Sequence, residues 1–162
     1  MLTTRHAPLE RSGKITILPY QLSHFKRLIV RPHEETIKEA VKLSDTEWAQ
    51  AIGKEAVEAY TGYIDGDIFA IGGLNILWEG VGEVWVIGSP TVPKYKFAYV
   101  RAVKFYLKYF REKYKLKRVQ AQIVADYDML KRFAEKLGFK YEGTLHNYCG
   151  GDLDNCMYAI WE

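Results

Sequence analysis

Apolar and polar positions recur along this chain with two different periods, and the changes of period mark out its elements. Ile15-Thr16-Ile17-Leu18 reads as a first strand. Ser23 is then placed to cap a short helix that carries Phe25, Leu28 and Ile29 inward and that Arg31-Pro32 would end. Residues 35–43 show helical spacing through Ile37, Ala40 and Val41. Ser44-Asp45-Thr46-Glu47 is a capping-box pattern that opens another helix, with Trp48, Ile52 and Ala56 on one face. Asp65-Gly66 supplies the positive φ angles of a tight hairpin between residues 60–64 and 67–71. A second turn, Glu79-Gly80-Val81-Gly82, leads into residues 83–87, so three successive strands predict an antiparallel meander.

Beyond Gly88-Ser89-Pro90 the period becomes helical over residues 93–113. Phe97, Val100, Val103, Leu107 and Phe110 form an apolar stripe, and Arg101, Lys104, Lys108 and Arg111 a basic one. Residues 118–123 alternate with the period of a strand; Asp126 is placed to cap a helix through Met129, Phe133 and Leu137, which Gly138 ends as a left-handed cap. Residues 139–146 and 153–161 make a terminal hairpin across Gly150-Gly151-Asp152. The long helix between residues 87 and 118 lets its flanking strands run parallel in a right-handed crossover. The expected fold is therefore α/β (α+β): a mixed, mostly antiparallel sheet with one parallel crossover and helices on both faces. It fills one domain over residues 14–162, after a loose polar leader at residues 1–13.

Composition narrows the setting. A chain of 162 residues with 48% hydrophobic content suits one core. No apolar run approaches the roughly 20 residues that cross a bilayer, and residues 1–14 offer no apolar stretch for a signal peptide, so a cytoplasmic protein without a membrane partner is expected. Cys149 and Cys156 are too few for a disulfide framework or an unaided zinc site, and reduced thiols are expected. His6, His24, His33 and His146 have no metal spacing, and Asp152, Asp154 and Asn155 lack the rest of a calcium loop, so no metal is expected. A net charge of +3 does not call for nucleic acid. Aromatic content of 14%, with 12 Tyr and 4 Trp, leaves rings to spare for a groove.

The order of elements, with Leu137-Gly138-Phe139-Lys140-Tyr141-Glu142-Gly143 after the last helix, resembles the GNAT superfamily of acetyl-CoA-dependent acyltransferases over residues 15–161. Residues 131–139 resemble the family's leucine-tyrosine-x-lysine-x-glycine-phenylalanine run. The resemblance implies that residues 83–87 splay from their parallel neighbour and that the backbone of Val84, Trp85, Val86 and Ile87 pairs with the pantetheine arm of acetyl-CoA. It implies a diphosphate site at the start of the next helix, where the family carries glycines. This chain instead has Ser89-Pro90-Thr91-Val92-Pro93-Lys94-Tyr95-Lys96-Phe97-Ala98, in which only Ala98 matches and two prolines cannot donate. Lys94, Lys96 and Arg101 would have to supply charge in place of backbone donors, so weak or absent acetyl-CoA binding is one expectation.

Glu83 begins the splayed strand, where the family often places the general base for an attacking amine. Ala134 stands where many members carry the tyrosine that protonates the departing thiolate, which leaves Tyr127 or Tyr148 as the candidate acid. The acceptor would be a small-molecule or protein amine. A degenerate diphosphate turn beside an aromatic, basic helix also resembles small GNAT-like proteins of tailed bacteriophages, some of them internal virion proteins. That resemblance implies the alternative of a non-enzymatic role with a phage virion or host protein as partner.

Overall fold

The computed structural model describes residues 15–162; the expected leader and His6 lie outside them. Seven strands, β1 (Ile15–Pro19), β2 (Glu58–Ile64), β3 (Asp67–Trp78), β4 (Val81–Gly88), β5 (Arg118–Val124), β6 (Lys140–Cys149) and β7 (Leu153–Trp161), form one sheet. Their order is β1-β2-β3-β4-β5-β7-β6. β4 and β5 are parallel, and the other neighbours are antiparallel. The helices are α1 (Leu22–Arg27), α2 (Pro32–Val41), α3 (Asp45–Glu55), α4 (Lys96–Lys113) and α5 (Asp128–Lys136). The mixed sheet with its single parallel crossover through α4 is the expected architecture.

The side chains of β4 alternate between two cores, as a strand requires. Trp85 and Ile87 pack with Phe25 of α1 and Ile52 of α3. Val86 packs with Tyr99 of α4, and Val84 with Phe110 of α4 and Ala134 of α5. One face of the sheet therefore carries α1 and α3, and the other carries α4 and α5.

Several local expectations are corrected. Gln21, not Ser23, precedes α1, and Pro32 opens α2 instead of ending α1, because its fixed φ suits a first helical turn. Ile29, expected inward, lies beyond the end of α1 and is 75% exposed. α4 starts at Lys96 after a single 3-10 turn (Val92–Tyr95), and the change of helical pitch turns Ala98 and Tyr99 inward while Phe97 is 71% exposed. Tyr127, not Asp126, precedes α5, and Met129 is 62% exposed in its first turn. The capping box at Ser44 forms as expected: Glu47 N–H donates to Ser44 Oγ at 3.2 Å and Ser44 N–H to Glu47 Oε2 at 2.7 Å. Gly138 takes its left-handed φ of 97°. Across the terminal hairpin Cys149 pairs with Leu153 and Cys156 with Thr144, and both cysteines are free thiols.

Candidate functional site

β4 and β5 pair only at Val81 with Arg118, Gly82 with Val119 and Glu83 with Gln120. Beyond those three pairs the strands continue to Gly88 and Val124 without pairing to each other, which opens a wedge in the middle of the sheet. A cavity of about 520 Å³ reaches through this wedge, lined on one side by Trp48 and Trp85 and on the other by Tyr99 and Val103. Backbone groups of β4 alternate in direction, and Gly88 directs both of its own into the wedge, where they bond α2. The same parity aims the N–H and C=O of Val84 and Val86 into the opening.

Glu83 stands at the apex, the last residue of β4 that β5 still pairs. Its Oε2 accepts from Gln120 Nε2 at 2.8 Å and from Gln122 Nε2 at 3.1 Å. Gln120 and Gln122 share a face because strand side chains alternate, while Val119, Ala121 and Ile123 between them pack against α4 and α5. The second N–H of Gln122 reaches Tyr148 Oη at 3.2 Å, and its Oε1 accepts from Asn155 Nδ2 at 3.2 Å. Glu83 and Tyr148 are thus joined through one amide. Sequence reasoning missed Gln120, Gln122 and Asn155, although the alternation of residues 118–123 already put both glutamines on one face.

Trp85 lies beside this group, its Nε1 donating to Asn75 Oδ1 at 3.2 Å. The ring passes over Gly73, where a Cβ would sit 2.7 Å from Trp85 Cζ2 and 2.6 Å from the Glu58 carbonyl oxygen. Glycine at 73 therefore makes the room in which the indole lies against the sheet.

The wide end of the wedge is closed by α2. Arg31 and Glu34 form a buried ion pair at 2.6 Å. Gly88 N–H donates to Glu34 Oε1 at 3.0 Å, and Arg31 N–H donates to the Gly88 carbonyl at 3.2 Å. A Cβ on Gly88 would come within 2.9 Å of the Arg31 guanidinium carbon. Tyr99 is buried against the pair, and burial pushes its phenol up to about 12. Tyr127 reaches past the end of β5, its ring tilted 55° against the His33 ring at a centroid distance of 4.5 Å, and donates its hydroxyl proton to the His33 carbonyl at 2.9 Å. Burial holds the His33 imidazole below its ordinary range, the nearby Glu34 carboxylate opposing and Arg31 adding to the shift.

Three N–H groups of the turn after β4 are spent within it. Thr91 N–H reaches Ser89 Oγ at 3.3 Å, Val92 N–H the Ser89 carbonyl at 3.1 Å and Lys94 N–H the Thr91 carbonyl at 3.0 Å. Pro90 and Pro93 have no N–H to offer. Ala98 is buried with its methyl in the core beneath α4. Lys94 and Lys96 are exposed, each over a neighbouring ring, Tyr95 and Phe97, and Arg101 is an exposed residue one turn further on. The wedge thus leaves the inward N–H and C=O groups of Val84 and Val86 for a ligand to pair with, while Lys94 and Lys96 add side-chain charge around a turn that has used three of its own donors. Among the described residues no group of three His, Cys, Asp or Glu is placed to hold a metal ion, and no helix is long and apolar enough to cross a membrane.

No family model matches the chain, and no curated protein sequence matches it. Solved structures do. An acetyltransferase of the GNAT family from Bacillus anthracis superposes with a TM-score of 0.67 at 18% identity, over 96% of this chain and 97% of that one. The ribosomal L7/L12 alpha-N-protein acetyltransferase, solved in complex with coenzyme A, gives 0.66 at 12% identity over 96% and 97%. The ribosomal-protein-S18-alanine N-acetyltransferase from Escherichia coli gives 0.66 at 13% identity over 91% and 93%. The chain has the GNAT fold.

Proposed function

We propose that this protein transfers an acyl group, most simply acetyl, from a coenzyme A thioester to an amine at the apex of the wedge between β4 and β5. The observation that carries this reading is Glu83: a carboxylate at the last paired position of β4, oriented by two neutral amides and facing a cavity that runs through the sheet. When bound, the thioester supplies the acyl carbon and a thiolate leaving group. The acceptor nitrogen bonds to that carbon as the C–S bond breaks. The proton lost by nitrogen goes to Glu83, directly or through a water, and the thiolate gains one from a tyrosine. Of the two candidate acids, Tyr127 has committed its proton to the His33 carbonyl, whereas the Tyr148 hydroxyl accepts from Gln122 and keeps its own proton free to give. The backbone of Val84 and Val86 would hold the pantetheine arm, while Trp85 and Ile87 between them turn their backbone groups to β3, and Lys94, Lys96 and Arg101 would meet the phosphates beside the turn around Ala98.

Glu83→Gln keeps both amide contacts nearly isosteric but cannot take a proton. Steady-state release of free thiol from acetyl-CoA should fall by about 10²–10⁴-fold in kcat/KM, with denaturation midpoint unchanged. Undiminished turnover would remove Glu83 from the role of base.

A second reading is favoured by the self-bonded turn and its two prolines: the fold is kept as a binding scaffold that does not turn over acetyl-CoA. Under that reading the partner is a protein.

A further inference from the structure

The acceptor side of the wedge has a chemistry of its own. A carboxylate only accepts hydrogen bonds, so Glu83 fixes Gln122 with its Nε2 inward; Gln122 Oε1 must then accept, which fixes Asn155 with its Nδ2 toward Gln122. The relay ends at Asn155 Oδ1, which is buried, has no partner and belongs to a residue on the cavity wall. A buried acceptor without a donor is costly, and a ligand N–H would relieve it once the Asn155 amide turns its closed-off oxygen toward the cavity. The cations on the same wall are already neutralised: Arg31 by Glu34 at 2.6 Å, and Lys38 by Asp45 at 2.6 Å and Glu35 at 3.5 Å. Glu55, at the end of α3, adds a further negative charge to the wall. The rest of the wall on this side is mainly aromatic and aliphatic, with Phe25, Trp48 and Trp85 beside Ile37 and Val41 of α2; Trp48 Nε1 and His33 Nε2 are also buried there without a hydrogen-bond partner, and neither brings a positive charge, since burial holds the His33 imidazole below its ordinary range. The C-terminal turn of α2 is pressed against the tip of the β6–β7 hairpin, where a Cβ on Gly150 would lie 2.0 Å from the Ala40 carbonyl oxygen. That contact roofs this side of the sheet.

Resting on the acyl-transfer reading, we infer that the acceptor is a small primary amine carried on an aromatic body without an acid group. Its nitrogen supplies the N–H donors that Glu83 and Asn155 Oδ1 call for, and its ring lies against Trp85. An acceptor carboxylate would be buried without a cation to meet it.

Phenethylamine and phenylalanine differ by that carboxylate and test the inference by binding alone. Calorimetric titration of the full chain without any thioester should show phenethylamine binding at least about tenfold more tightly than phenylalanine, since burying an unpaired charge outweighs the shared ring contact. It should also outcompete spermidine and an alanine-terminated hexapeptide. Trp85→Leu and, independently, Asn155→Leu should each weaken phenethylamine by about tenfold, the scale of one lost ring or hydrogen-bond contact. Equal or tighter binding of phenylalanine, spermidine or the peptide overturns the inference, as does absence of phenethylamine binding to the unmodified protein. Phenethylamine that binds but is never acetylated refutes the acyl-transfer reading and leaves the amine site standing. Acetylation confined to the peptide does the reverse.

Discussion

Buried imidazoles show at single residues how the chain's stability is tied to pH. His24 is a buried residue of α1, and its Nδ1 accepts from Gln21 N–H at 3.2 Å and meets Thr61 Oγ1 at 2.8 Å. Accepting from a backbone donor keeps that nitrogen unprotonated, and burial, with Arg27 adding to it, holds the imidazole below its ordinary range. His33 is shifted the same way, chiefly by burial. Both folded values lie below those of the unfolded chain, so the unfolded state binds more protons as pH falls. The stabilisation is complete above about 6.5, the ordinary histidine value, and is lost as pH drops through that value toward the folded ones. Urea midpoints should therefore fall between pH 7.5 and 5.5, and His24→Asn should flatten that slope; a midpoint that rises on acidification would contradict this account. The carboxylates held low by hydrogen bonds and cations, Glu58 and Glu142 among them, lose their contribution only in more acidic solution. Side-chain roles of this kind were partly legible in the sequence. Glu83 stood at a strand start after a glycine turn, but its amide partners lie 37 and 39 residues away and could be found only by matching the faces of two strands.

Among the elements, α2 does more than its short sequence suggests. Its first turn ties the end of β4 through Arg31 and Glu34, and its last turn meets the hairpin at Gly150. Removing one member of a buried ion pair strands the other charge, so Glu34→Ala should cost about 3–5 kcal/mol in urea unfolding, well beyond an exposed pair such as Lys108 with Glu112. A loss below 1 kcal/mol, the exposed-pair range, would show that the guanidinium finds water. Gly150 has φ of 64°, and Gly150→Ala combines that strain with a clash against Ala40; a cost of at least about 1–3 kcal/mol is expected, together with faster hydrogen exchange in β6 and β7. The sequence revealed α2 as a helix by its apolar spacing but gave no sign of the latch, because an Arg and a Glu three apart are ordinary on any solvated helix. Strands and the long helix were legible through periodicity and turn residues. The misplaced inward positions, Ile29, Phe97 and Met129, all sit in the first turn of a helix or just past its end, where a 3-10 turn or a chain reversal changes the angle that periodicity assumes.

For the whole molecule, the fold brings a wedge, a carboxylate and a roofed aromatic side together in one cavity, while the turn beyond β4 spends three of its N–H groups within itself. Phosphate affinity should then rest on lysine side chains, which salt screens, more than on helix-terminal N–H groups. Calorimetric titration with acetyl-CoA at low and at moderate ionic strength tests the central claim most directly. Acyl transfer at the wedge predicts saturable one-to-one binding at low salt that weakens, without vanishing, at moderate salt, and that weakens further in a Lys94→Ala, Lys96→Ala double variant. Absence of heat at both ionic strengths would contradict it.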